Sequence, residues 1–209
     1  MRLVSFDMDG TLIRGTTASS FMAARLDHLE EVEELERQFL AGTLTAPQFA
    51  ETVAHRFLNY RIADVERHFE EIPLIAGIAE TVAALRRRGV PCVISTVSYG
   101  FYAGVLMRRF GFDGHCGSVM QELDGILQGC MSGHCTPDDK RGFVEQFAAQ
   151  RGIPMAEVAH VGDSMSDLPL FRVVGKAIAI NATPDARAAA HHSLDTDNLA
   201  EVLPLLGFG

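Results

Sequence analysis

Four groups of polar residues in this chain could perform one reaction together. Asp7 and Asp9 stand two residues apart, directly after the short apolar run 2–6. Ser95 and Thr96 follow Val93-Ile94, Lys140 stands beside Asp138 and Asp139, and Asp163 and Asp167 follow Val161-Gly162. The chemistry that suits such a set is phosphoryl transfer. A carboxylate such as Asp7 can attack phosphorus and form an aspartyl phosphate, which divides one hard step into two. The obstacle is charge, because a carboxylate must approach a phosphate dianion. At ~4 Å and an effective dielectric of ~20, each pair of unit charges repels by about 4 kcal/mol. A divalent cation and one ammonium can offset that. Asp7 and Asp163 offer hard oxygen ligands for Mg²⁺, which takes one or two carboxylates together with phosphate and water. Lys140 offers the ammonium, and the Ser95 hydroxyl with nearby backbone N–H groups can hold the remaining phosphoryl oxygens. Asp9 can turn toward the leaving oxygen, protonate it, and later take a proton from water.

These side chains meet only if the fold gathers them, and the apolar pattern says that it does. Residues 2–6, 90–95, 158–161 and 176–180 read as short buried strands. Residues 78–88, 99–110, 139–150 and 199–206 read as helices, with Gly89 stopping the first and Arg86, Arg87 and Arg88 set against the negative end of its dipole. Asp124-Gly125 between apolar residues predicts a hairpin within 118–129. Strands alternating with helices predict an α/β fold, a Rossmann-like parallel sheet covered on both faces. In such a sheet, ligands bind beyond the carboxyl ends of the strands, and Asp7, Ser95 and Asp163 all fall at such ends. From Thr16 to about Ile72 the pattern is helical throughout, with Phe21, Met22, Leu26 and Leu29 as one example of the spacing. That stretch is too long for a simple crossover. It predicts a helical cap over 15–72, inserted into a core made of 1–14 and 73–209.

Composition narrows the partners. The chain has 209 residues, 47 % of them apolar and 22 % charged, enough for a packed core and no sign of wholesale disorder. A formal net charge of −9 argues against binding nucleic acid, which needs a basic surface. It leaves room for a small anionic substrate, since a metal and a lysine can reverse the sign locally. No secretory signal is visible, and no apolar run reaches the ~18 residues of a membrane span. Four cysteines are too few for a disulfide framework at this length, so the expected setting is a reducing cytoplasm.

With those residues in view, the chain resembles the haloacid dehalogenase (HAD) superfamily, and within it the branch that includes phosphoserine phosphatase. Phe6-Asp7-Met8-Asp9-Gly10-Thr11-Leu12 is similar to the first motif of its phosphatases, Val93-Ile94-Ser95 to the second, Lys140 to the third, and Gly162-Asp163-Ser164-Met165-Ser166-Asp167 to the fourth. One such motif is weak; four in order along almost the whole chain are specific. The resemblance implies a Mg²⁺-dependent phosphatase with Asp7 as nucleophile and metal ligand. It implies Asp9 as general acid/base with its carbonyl on the metal, and Thr11 supporting the Asp9 loop. Ser95, Thr96 and Lys140 would bind the phosphoryl group. Asp163 would be a metal ligand, and Asp167 would act through a metal-bound water or by orienting Lys140.

The departures concern the substrate. Thr96-Val97 stands where phosphoserine phosphatases have Gly-Gly, and Ser164-Met165-Ser166 where they have Gly-Ala-Asn. Thr16 replaces an expected glutamate, and an expected arginine aligns near Val53, with Arg56 close by. These changes point away from L-phosphoserine and toward another small phosphorylated metabolite, with Thr16, Arg56 and Tyr99 as candidate contacts. The alternatives are phosphotransfer or mutase chemistry on the same aspartyl phosphate, and a non-catalytic regulatory role. The remaining polar clusters read as structural. The acidic run Glu30–Glu36 reads as a solvated helix face, His191-His192 as surface, and the helical aromatics Phe21 to Phe69 as cap core. The set His115-Cys116, Cys130 and His134-Cys135 matches none of the common zinc spacings.

Overall fold

A computed structural model describes residues 1–208, the side chains of Leu40 and Ala46 aside. Its strands are β1 (Leu3–Phe6), β2 (Cys92–Tyr99), β3 (Gly114–Leu123), β4 (Ile126–Gly133), β5 (Val158–Gly162), β6 (Lys176–Ile180) and β7 (His192–Leu194). They form one sheet in the order β4-β3-β2-β1-β5-β6-β7, parallel throughout except for the β3–β4 hairpin. Five helices lie between β1 and β2: α1 (Ala18–Arg25), α2 (Leu29–Leu40), α3 (Ala46–Ala54), α4 (Ile62–Phe69) and α5 (Ile78–Arg87). The others are α6 (Gly100–Phe110), α7 (Pro137–Ala149), α8 (Leu168–Phe171), α9 (Pro184–Ala189) and α10 (Val202–Leu205). The expected α/β architecture is therefore the observed one.

The central strands are buried on both faces, and alternation decides which face each residue serves. Val4, Phe6, Cys92 and Ile94 pack with α5, α6 and the helices of the 15–72 stretch. Leu3 and Val93 pack on the other side with Val144 and Phe147 of α7 and Leu170 and Phe171 of α8. Apolar residues of the 15–72 stretch share a continuous core with the sheet. Phe69 stacks on Tyr102 at 4.4 Å between ring centroids, and Phe57 meets Tyr99 edge-on at 5.8 Å.

Two features depart from expectation. The second strand does not end at Ser95 but runs on to Tyr99 through a bulge, so that Ser95 pairs with Cys116 and Tyr99 with Ser118. A short β7 also adds an edge that no apolar run announced. The hairpin forms where Asp124-Gly125 predicted it, both residues taking positive φ (50° and 78°). Its outer strand is not a free edge. Asn59 N–H donates to Leu127 O (3.0 Å), Leu127 N–H to Tyr60 O (2.9 Å) and Ile62 N–H to Gly125 O (3.0 Å). Among the described residues, no helix is long and apolar enough to cross a membrane.

Candidate active site

β1 and β5 lie side by side at the centre of the sheet, so the residues that follow them emerge together. Asp7 leaves β1 with its N–H donating to Val161 O (2.9 Å). Its Oδ1 accepts a hydrogen bond from Lys140 Nζ at 2.7 Å. The same ammonium donates to Asp167 Oδ1 (2.6 Å) and Ser166 Oγ (3.2 Å), which uses all three of its protons. Lys140 is delivered by the first turn of α7. Pro137 opens that helix, and Thr136 and Asp139 cap it reciprocally. A buried cation at a helix N-terminus is opposed by both burial and the dipole. Burial pulls the Lys140 pKa down, but Asp167 and Asp7 outweigh it and hold the ammonium protonated.

Asp167 is saturated. Oδ1 accepts from Lys140 and from His160 Nε2 (2.9 Å), and Oδ2 accepts from the backbone N–H of Asp163 (2.9 Å) and Ser164 (3.1 Å). Burial would raise its pKa, yet Lys140 and His160 keep it below the usual carboxylate range. Asp7 is pushed the other way by burial and by the charges of Asp167 and Asp163, with Lys140 opposing. Burial, with help from Asp167, raises Asp163 to about 7. One ammonium thus faces three carboxylates, an excess of negative charge that invites a cation. The donor set fits one. Oxygens of Asp7, Asp163 and Asp167 lie within 4.8 Å of one another, and Asp163 Oδ1 is buried with no hydrogen-bond partner. With Asp167 already filled, Asp7 and Asp163 remain as hard oxygen ligands for a divalent ion such as Mg²⁺. No other cluster of three metal-capable side chains forms among the described residues; of the cysteine–histidine set, Cys116 and Cys135 meet, but no third member joins them.

Two glycines make this closeness possible. A Cβ on Gly10, which has φ +79°, would sit 2.2 Å from Asp163 Oδ2. A Cβ on Gly162 would sit 2.3 Å from the Asp167 carboxyl carbon. The glycines of both acidic motifs are there because a carboxylate occupies the space of their missing side chains.

Above this floor lies a cavity of about 310 Å³, the size of a small-metabolite pocket. Asp7, Asp9 and Asp163 line it from the strand ends, and Thr16, Glu36 and Phe39 from the helical stretch. Asp9 accepts from Ala18 N–H at the start of α1 (2.6 Å). It keeps a face on the cavity but lies deep below the surface, and burial raises its pKa to about 6.

The structure brings Asp7, Asp9, Lys140, Asp163 and Asp167 together, and sorts the other candidates. Ser95 does not reach the cavity. It points to the α7 side of the sheet, where its hydroxyl bonds Ser5 Oγ at 2.8 Å in the core. Thr96, one residue on and therefore on the opposite face, lines the cavity, and the bulge in β2 turns Val97 and Ser98 toward it as well. Thr11 is fully buried behind the loop, with its hydroxyl unpartnered. Thr16 and Tyr99 line the cavity, but the Tyr99 hydroxyl is spent on Ala50 O (2.8 Å). Arg56 is absent from the lining; it is half-exposed and paired with Glu31. The sequence reading missed Glu36, Ser98, Ser166 and His160. Of these only His160 left a signal, a polar residue inside an otherwise apolar strand.

Comparison with known proteins shows the family and the fold. The family profile of haloacid dehalogenase-like hydrolases matches residues 4–172. A phosphoserine phosphatase of Mycobacterium tuberculosis is 31 % identical over 99 % of this chain, which spans 50 % of that protein's length. A phosphoserine phosphatase of Methanocaldococcus jannaschii is 27 % identical over 97 % of this chain and 96 % of its own. Among solved structures, a phosphoserine phosphatase in the form of an analogue of its phospho-aspartyl intermediate superposes with a TM-score of 0.86. It shares 24 % identity, covers 98 % of both chains, and so has the same fold. Motifs, sheet order and profile agree, and the chain belongs to the haloacid dehalogenase-like hydrolases, in the branch that resembles phosphoserine phosphatase.

Proposed function

We propose that the chain is a Mg²⁺-dependent phosphomonoester hydrolase that acts on a small phosphorylated metabolite through an aspartyl phosphate on Asp7. The observation that carries this reading is the Lys140 ammonium seated between Asp7 and Asp167, beside the unpartnered oxygen of Asp163. Asp7, Asp163 and the Asp9 carbonyl would hold Mg²⁺, which when bound would supply positive charge against the phosphoryl oxygens. Asp7 attacks phosphorus with the carboxylate oxygen that Lys140 leaves free. Asp9 hands a proton to the departing alcohol oxygen and then takes one from the water that cleaves the acyl phosphate. Its pKa near 6 suits both duties near neutral pH. Thr96 holds the phosphoryl group from the cavity wall, while Lys140, fixed by Asp167, offsets its charge from beneath Asp7. Residues 15–72 serve as a cap over a core of 1–14 and 73–209, closing the cavity to bulk water and to phosphoproteins. Neither nucleic acid nor a membrane is needed for this reaction, and the free cysteines suit a cytoplasmic setting.

The test is phosphate release from a panel of small phosphomonoesters and an aryl phosphate, with and without Mg²⁺, with Asp7→Asn alongside. Turnover that needs Mg²⁺ and falls by about 10⁴-fold or more in Asp7→Asn is expected. A folded protein that turns over no ester, or an Asp7→Asn variant that keeps its activity, would contradict the proposal.

A further inference from the structure

The cavity above Asp7 carries a charge pattern that selects among phosphate esters. Among the described residues, four carboxylates line it (Asp7, Asp9, Glu36 and Asp163), and no lysine, arginine or histidine does. Cations around the site are taken up elsewhere. Lys140 lies beneath Asp7, the Arg14 guanidinium donates to Gly10 O (2.9 Å), and Arg56 pairs with Glu31. Three of the carboxylates belong to the reaction centre. The fourth, Glu36, comes from α2 on the opposite wall. It is held in place by Thr17 Oγ1, which donates to Oε1 (2.5 Å), and by Ser20 Oγ, which donates to Oε2 (2.9 Å). Each of its oxygens therefore keeps an acceptor site free. Phe39 lies three residues on, on the same face of α2, and lines the cavity with Phe49 of α3; their ring centroids are 6.1 Å apart.

An anchored carboxylate in a cavity also lined by two aromatic side chains attracts an ammonium group by charge and offers its carbon chain an apolar surface. The same wall repels a carboxylate, because it has no cation to receive one, and specificity of this kind arises as much from rejection as from attraction. Resting on the hydrolase reading above, we infer that the substrate is a phosphomonoester of a small amino alcohol, with an ammonium group near Glu36 and no carboxylate. The phosphate lies over Asp7, and the carbon chain crosses the 310 Å³ cavity past Phe39 and Phe49.

Three esters test this with Mg²⁺ present: 2-aminoethyl phosphate, its hydroxy counterpart 2-hydroxyethyl phosphate, and its carboxylated counterpart O-phospho-L-serine, with an aryl phosphate as reference. The expected order of kcat/KM places 2-aminoethyl phosphate at least tenfold above each of the others. In Glu36→Gln the ratio of the amino to the hydroxy ester falls at least tenfold, mostly through KM. The wild-type order needs no variant, so it stands even if Glu36→Gln folds poorly. Phosphoserine equal to or better than the aminoethyl ester overturns the inference, as does a ratio unmoved by Glu36→Gln, which would make Glu36 only a bridge between α1 and α2. Hydrolysis of the aryl phosphate without preference among the three overturns the inference alone. No hydrolysis of any ester removes the hydrolase reading, and the inference with it.

Discussion

The floor of the cavity and its helical wall are built on opposite principles. On the floor the polar groups constrain one another: Lys140 spends three protons on three oxygens, and Asp167 accepts four hydrogen bonds, with one oxygen of Asp163 left open. Two glycines exist because carboxylates fill the space beside them. On the wall, Thr16, Phe39 and Phe49 border open space on their cavity side, and none of them holds a buried charge. A side chain on the floor cannot change without stranding a buried charge, whereas one on the wall changes what fits. Chemistry is therefore held by the strand ends, and substrate choice is left to the helices inserted after β1.

That contrast can be broken experimentally. The largest effect is expected at Lys140→Met, which leaves Asp7 and Asp167 buried without their shared cation. A loss of about 3–5 kcal/mol in denaturant unfolding is expected, with turnover reduced on the order of 10²-fold or more. Wild-type stability in that variant would mean that the floor is no more constrained than the wall. Gly162→Ala comes next. The added methyl must displace the Asp167 carboxylate, and overpacking of this kind costs about 1–3 kcal/mol. Activity should fall with stability, and a variant with unchanged melting and unchanged kcat would deny the close contact any role.

The third expectation concerns pH. Burial raises Asp9 to about 6 and Asp163 to about 7 in the folded chain, above the ordinary carboxylate value of about 3.9. Between pH 4 and 7 the folded state thus binds more protons than the unfolded one, so stability falls as pH rises. In chelator, the protein should melt higher at pH 5 than at pH 7.5, by roughly 1.5 kcal/mol from Asp9 and roughly 2.5 kcal/mol from Asp163, at about 2–4 °C per kcal/mol. Saturating Mg²⁺ should shrink the difference by stabilising the ionised carboxylates. A melting point that rises with pH in chelator would refute the assignment. Asp167 has the opposite sign: its contribution is present above the ordinary carboxylate pKa and is lost only in stronger acid. The smallest effects separate two neighbours on β2. Ser95→Ala orphans the Ser5 hydroxyl, at about 1 kcal/mol of stability, and should barely change kcat/KM. Thr96→Val should lower kcat/KM about tenfold, through one lost hydrogen bond to phosphate, and cost about 1 kcal/mol of stability because the Ser98 N–H loses Thr96 Oγ1 (3.1 Å). The reverse pattern would restore Ser95 as the phosphate ligand.

The floor was the more legible region for the same reason that it is rigid. Asp7, Asp9, Lys140, Asp163 and Asp167 carry charge next to apolar strands or caps, and residues of that kind announce themselves. The parallel strands of the core and the hairpin followed from period and turn chemistry. Ser95 and Thr96 could not be told apart, because a bulge moved the strand's end and alternation then assigned the cavity to the second of the two. Glu36 was hidden inside an acidic run that reads as solvent-facing, and only the packing of α1 against α2 turns it inward. Arg56, chosen by proximity in sequence, is claimed by Glu31. β7, with two of its three residues exposed, carries no apolar pattern to betray it.

The most direct test of the central claim is to trap the covalent intermediate. During turnover of an aryl phosphate with Mg²⁺, the enzyme is quenched in acid, reduced with borohydride and mapped by mass spectrometry. The account predicts homoserine at position 7, the product of reducing an acyl phosphate on Asp7, and none in Asp7→Asn. Steady turnover with Asp7 unmodified and the mark on another residue would contradict it.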